Sequence, residues 1–147
     1  MYKGKPLLNI VLAIWQLPQI LLGLVMLLIF RNKTEYTNPY NGITVWNINS
    51  HGAFGTACFS TGPIIVTCSD KVEEDTLKHE TGHSQDSCKW GVLYLFVIAI
   101  PSVFLFWYKK IFHKSQEFYL SHFPENMAER NGMTSRYKAK MEKEKIS

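Results

Sequence analysis

Asp70-Lys71-Val72-Glu73-Glu74-Asp75-Thr76-Leu77-Lys78-His79-Glu80-Thr81-Gly82-His83-Ser84-Gln85 is the stretch on which the fold turns. Asp70 and Glu73 have the spacing of a capping box. Glu73, Glu74 and Asp75 load the following turn with negative charge, which suits the positive end of a helix macrodipole. A helix is therefore expected from about residue 71 to about residue 88. His79 and His83 stand four apart within it. Residues i and i+4 lie one above the other on a helix face, so both imidazoles can reach a single ion. Zinc accepts imidazole nitrogen at about 2.0–2.1 Å in tetrahedral geometry. Glu80, beside the first imidazole, is then placed as a general base: it takes a proton from a metal-activated water and later returns it to a leaving amine. Gly82 is unusual, because a mid-helix glycine costs about 1 kcal/mol against alanine. Close approach by another backbone or by a substrate would account for it. Gln85 is a candidate to hydrogen-bond the site from behind the ligands.

A catalytic zinc site of this kind takes three protein ligands and keeps a fourth position open. Downstream, Phe123-Pro124-Glu125-Asn126-Met127-Ala128-Glu129-Arg130-Asn131-Gly132 reads as a short helix, with proline suited to its first turn and glycine to its end. Glu125 and Glu129 share one face of it. Glu125 is assigned as the third ligand, and Glu129 as the acceptor that orients a ligand imidazole through its other N–H. Tyr119 and His122, just upstream, are candidates to donate to a developing oxyanion. His113, between Lys110 and Lys114, reads as an interfacial cation.

His-Glu-x-x-His followed by Glu-x-x-Ala-Glu resembles the gluzincin metallopeptidases, whose second motif is Glu-x-x-Ala-Asp. Within them the pattern looks most like the membrane zinc endopeptidases of the CAAX-protease and heat-shock type. The resemblance implies that Glu125 is the third zinc ligand and that Ala128 matches the motif's small residue. Glu129 stands where the family has aspartate. Lys78 to Gln85 also resembles compact bacterial membrane proteins that pair an HExGHxxQ helix with an apolar segment and a Glu-x-x-Ala-Asp helix. The similarity covers roughly residues 50 to 133 and implies a zinc peptidase fold without naming a substrate.

Two apolar blocks flank this chemistry. Leu7 to Phe30 carries no formal charge and as a helix would extend roughly 36 Å, enough to cross a bilayer with some tilt. Arg31-Asn32-Lys33-Thr34 follows it in place of the small residues of a signal-peptide cleavage site, so a retained anchor is expected. Pro18 and Gly23 are candidate bends. Gln16 and Gln19 share a face that is available to pack on the second block. That block, Trp90 to Tyr108, would extend about 28 Å and has Lys89 at one end and Lys109 and Lys110 at the other. It raises a topological problem. His79 and His83 precede it and Glu125 follows it, yet all three must meet one ion. Either Pro101 breaks the block into a re-entrant hairpin, or residues 109 to 124 fold back to a site at the membrane boundary; a membrane-embedded hairpin or tilted helix packed on the first anchor is the favoured expectation.

Residues 31 to 70 read as a small β region. Strands are expected over Ile43 to Ile48, Phe54 to Phe59 and Pro63 to Cys68, with turns at Asn38-Pro39 and Asn41-Gly42 and a hairpin around Ser60 to Pro63. His51 reads as an exposed or structural histidine. The chain of 147 residues is 46% hydrophobic with a net charge of +4, and its basic residues gather toward the C-terminus. Beside long apolar blocks that pattern points to anionic lipid rather than nucleic acid. No basic recognition helix, RNA-binding signature, GxGxxG or GxxxxGK pattern is present. Cys58, Cys68 and Cys88 form no CxxC pair, and an odd count favours a reducing compartment over a disulfide framework.

These readings predict an α+β membrane protein. A membrane anchor covers 1–30, and a zincin-like metal-binding domain covers 31–133 and includes the membrane segment 90–108. A charged tail covers 134–147 as a frayed, solvated helix. The expected function is zinc-dependent peptide hydrolysis at a membrane, on the cytoplasmic side or at the interface. The expected partners are lipid and a peptide or protein substrate. A non-catalytic, zinc-stabilised membrane interaction protein of immunity or adaptor type is the alternative.

Overall fold

The computed structural model describes residues 6–30, 35–40, 42–48, 58–68 and 72–146. The expectations placed on His51, Asp70 and residues 54–57 lie outside that set. The architecture is mixed α+β and mostly helical, with one four-stranded sheet.

The first apolar block is not one straight helix. It forms α1 (Pro6–Trp15) and α2 (Leu17–Ile29), bent by 78° at Gln16. Pro18 lies in the first turn of α2, where its missing N–H costs nothing. The sheet follows as β1 (Glu35–Tyr40), β2 (Ile43–Asn47), β3 (Cys58–Thr61) and β4 (Ile64–Thr67), in the order β1-β2-β4-β3. β2 and β4 are parallel, and the other two pairings are antiparallel. Asn38-Pro39, expected as a turn, instead lies inside β1. The register there shifts between Thr37 and Tyr40, and such irregularity on an edge strand is what accommodates proline. The hairpin expected around Ser60 to Pro63 is present, turning on Gly62 at φ 71°.

The sheet is covered on both faces, and β4, Ile-Ile-Val-Thr, is buried throughout, as suits a central strand between two layers. Ile64, Val66, Ile48 and Cys68 pack with Leu27 and Phe30 at the end of the first apolar block. Ile43, Val45 and Ile65 pack with Leu77 of α3 (Glu74–Trp90). Helix α3 begins about three residues later than expected. Its N-cap is Glu73, whose side chain makes no capping bond, and the acidic first turn, Glu74 and Asp75, suits the positive helix end; the Asp70 half of the expected capping box lies outside the described residues.

The second apolar block breaks at Gly91 and not at Pro101. Gly91 ends α3 at φ 52°, a conformation that favours glycine. A 3₁₀ turn (Gly91–Leu93) and a π-helical turn (Leu95–Ala99) then lead into α4 (Ile100–Ile111), so that residues 74–93 and 95–111 are bent by 119°. Pro101 stands in the first turn of α4 and breaks nothing. The two bends interlock. The Trp15 ring occupies the space where a Gly91 side chain would be, Gln19 Nε2 donates to the Gly91 carbonyl, and Ser87 Oγ donates to Gln16 Oε1 at 2.9 Å. This is the packing expected of the Gln16/Gln19 face. Among the described residues no single helix is long and apolar enough to cross a membrane, although each bent pair is when taken together.

After α4 come α5 (Gln116–Ser121), α6 (Glu125–Asn131) and α7 (Ser135–Ile146). Residues 112–124 fold back and carry α6 across α3, so the chain returns to the histidines by the fold-back expected of residues 109 to 124. The crossing is close. A Cβ on Gly82 would lie 2.1 Å from the Ala128 carbonyl oxygen, and one on Gly132 would lie 1.9 Å from that of Lys78. Gly82 therefore admits another backbone, as anticipated.

Candidate metal centre

His79 and His83 lie one turn apart on the buried face of α3, their rings edge to face with centroids 4.9 Å apart. Helix α6 presents Glu125 to both. Its Oε2 is 2.9 Å from His79 Nε2 and 3.3 Å from His83 Nε2, and its side chain is fully buried. The three donor atoms lie within 4.8 Å of one another. Two imidazoles and a carboxylate this close, all shielded from solvent, form a group able to hold a metal ion. The residues assigned as ligands from sequence are thus brought together from two helices 42 to 46 positions apart.

Electrostatics bind the group together. Burial works to raise the Glu125 carboxyl, but the bonds to His79 and His83 win and hold it well below the usual range. Burial likewise works against a charged His79. Its bonds to Glu125 and Glu129 overcome that and raise its pKa. Ser102 of α4 donates to Glu125 Oε1, and the Tyr119 hydroxyl lies beside both groups, its pKa pushed up by burial first and then by the Glu125 carboxylate. Tyr119 is therefore at the site, beside the Glu125 carboxylate.

Glu129 sits where the sequence put it. Its Oε1 is 2.9 Å from His79 Nδ1, so that Nε2 is left facing Glu125. A residue not anticipated completes this arrangement. Arg136, at the start of α7, grips Glu129 with Nε 3.0 Å from Oε2 and Nη2 2.8 Å from Oε1, while Thr134 Oγ1 donates to Oε2 at 2.8 Å. Ser135 bonds to Asp75 through both its backbone N–H and its hydroxyl. The first turn of the tail is thus tied to the centre through exposed side chains, and α7 beyond Tyr137 is solvated, as expected of the tail. Thr134-Ser135-Arg136 carries one local signal, a hydroxyl pair suited to a helix start ahead of an arginine, but its partner is seven residues back and invisible to pattern reading. Because groups that orient a ligand imidazole tune metal affinity, Glu129→Gln is expected to weaken metal binding about 10- to 100-fold. Arg136→Ala should have a smaller effect in the same direction. Competition with a chromophoric chelator measures both, and unchanged affinity in Glu129→Gln would remove Glu129 from the centre.

Glu80 is buried on the neighbouring stripe of α3. One of its oxygens accepts the backbone N–H of Ser60 on the edge strand β3, and Oε2 has no hydrogen-bond partner. Burial pushes its pKa up to about 7, against the pull of the nearby imidazoles. Two other expectations are corrected. Gln85 is exposed and lines a separate cleft with Gln16, Gly62 and Thr81, because its position on α3 points away from the histidine stripe. His122 is also exposed. Its ring packs on Phe118 at 4.0 Å and its Nδ1 donates to the Phe118 carbonyl, which turns it away from the centre.

Comparison of the chain with protein-family models, with curated proteins and with solved structures finds no match.

Proposed function

We propose that the chain is a zinc-dependent metallopeptidase that hydrolyses peptide bonds at or near a membrane. The observation that carries this reading is the Glu80 carboxylate, buried with Oε2 unpartnered in the helix turn that supplies His79 and His83. A purely structural metal site has no use for such a group, and leaving a carboxylate oxygen unsatisfied in the interior costs stability.

Two imidazoles and a carboxylate are the donor set of catalytic zinc sites that keep a position open. When bound, zinc supplies Lewis acidity that polarises a carbonyl and acidifies water. The chain's own residues supply the rest. His79, His83 and Glu125 hold the ion. Glu129 and Arg136 fix the His79 ring, and Ser102 fixes the Glu125 carboxylate. Glu80 removes the proton of the attacking water and delivers it to the leaving amine. β3 is an edge of the sheet, and the Ser60 N–H on it faces Glu80, so a peptide lying extended along that edge meets the general base. The exposed apolar residues of α1, α2 and α4 support the membrane location.

Metal analysis by mass spectrometry on detergent-purified protein tests the reading. About one zinc per wild-type chain is expected, with most of it lost in His79→Ala and in Glu125→Ala. A folded, chelator-free wild type without zinc overturns it.

A further inference from the structure

The membrane contact itself can be read more closely. We infer that α4, with α2 beside it, lies in the plane of one bilayer leaflet and docks the chain on the membrane without crossing it. This rests on the membrane half of the function proposed above and needs nothing of the zinc chemistry.

The site fixes the depth of the helix. Ser102, within the continuous helical stretch Leu95–Ile111, donates to Glu125 in the metal centre. The middle of the stretch is thus level with the buried histidines and carboxylates, and its ends lie only about 10–14 Å away along the axis. A crossing helix would carry that charged cluster to the bilayer midplane, where ionised groups are costly. It would also place Lys109 and Lys110, two turns from Ser102, within the hydrocarbon. Laid along the surface, the same helix puts none of these groups in lipid.

Its two faces agree with that orientation. Ser102, Leu105 and Lys109 are half-buried against the rest of the chain. Phe96, Ile100, Val103, Phe104, Trp107 and Ile111 are exposed, with Phe96, Phe104 and Ile111 at 68%, 72% and 63%. Their spacing of three and four residues makes an apolar stripe, widened on either side by the exposed rings of Phe106 and Tyr108, as suits a helix face lying in an interface. An apolar groove of about 1090 Å³ continues from this stripe to Leu22 of α2. Helix α2 has 13 residues, roughly 20 Å, which is short of the roughly 30 Å hydrocarbon core, so it does not cross by itself. At the C-terminal end of α4, Lys110 Nζ lies 5.1 Å from the Trp107 ring centroid, and exposed Lys114 follows. An aromatic ring with lysines at the edge of an apolar stripe matches anionic head groups above acyl chains.

The test uses full-length protein in phosphatidylcholine vesicles with and without phosphatidylglycerol. A nitrobenzoxadiazole probe is placed singly at positions 96, 104 and 111, and lipids carrying a quencher at shallow or deep acyl positions report depth. All three probes are expected to be quenched more strongly by the shallow lipid and to the same degree. Phosphatidylglycerol should tighten association by about fivefold for each lysine engaged. Depth that changes steadily from 96 to 111 overturns the inference in favour of a crossing helix. Absence of lipid quenching, with concentration-dependent dimers, overturns it in favour of a second copy on this face. Zinc content read on the same vesicles separates the two proposals. Equal shallow depths without zinc leave this inference standing, and graded depths with full zinc sink it alone.

Discussion

Glu80→Gln is expected to lower peptide hydrolysis about 10²- to 10⁴-fold while leaving zinc content and fold intact. Glutamine has the shape of glutamate and keeps an oxygen to accept the Ser60 N–H, so the packing around α3 is preserved. The other oxygen becomes an amide nitrogen that cannot take a proton. Neutralising a buried, incompletely bonded carboxylate also removes a desolvation cost, so the thermal midpoint should stay level or rise. Hydrolysis of a quenched fluorescent peptide pool, metal content and thermal melting, read on one preparation, give the answer. A variant as active as wild type takes the general base away from Glu80. A variant that loses its zinc shows that Glu80 supports the centre structurally.

Gly82→Ala is expected to destabilise the fold by about 1–3 kcal/mol, the cost of forcing extra atoms into a packed interior. Helix propensity alone predicts the opposite sign, a gain of about 1 kcal/mol. The structure reverses it because the added methyl would lie 2.1 Å from the Ala128 carbonyl oxygen and 2.8 Å from the Ala128 Cα and carbonyl carbon. These are backbone atoms of α6, so relief requires the whole helix to retreat, and α6 is what delivers Glu125. Gly132→Ala meets Lys78 from the other side and should behave alike. Chemical denaturation measures the stability and chelator competition the metal affinity; both should fall together. A stabilised Gly82→Ala would mean that α3 and α6 do not cross at backbone contact.

What the sequence discloses about this molecule follows from how local each signal is. His79, Glu80 and His83 declare themselves because four-residue spacing on a helix is itself a geometry. Glu125 and Glu129 do the same on α6, and β4 shows in a run of branched residues. Arg136 and Ser102 do not, because their roles exist only once α7 and α4 have folded onto the site. The re-entrant hairpin expected within the second apolar block is not formed: the chain bends at the start of the block, near Gly91, and α4 then runs on past Pro101. Pro101 attracts attention as a breaker, yet proline is tolerated in a first turn. Gly91 is the residue that can adopt a positive φ, and its decisive partner, Trp15, lies far away in sequence. β1 is not legible because Asn38-Pro39 has turn chemistry, and only the pairing with β2 turns it into an irregular strand.

The ligands also act on chain entropy. An ion held by His79 and Glu125 ties together two points 46 residues apart, and the three cysteines of the chain are all free, so no disulfide does so. Treated as a crosslink of that span, the ion removes unfolded-state freedom worth about 4 kcal/mol at room temperature. That is a large share of the stability of a small domain. The metal would then act as a clasp on folding, and α6, which brings Glu125 to the histidines of α3, would be the helix through which it locks the chain.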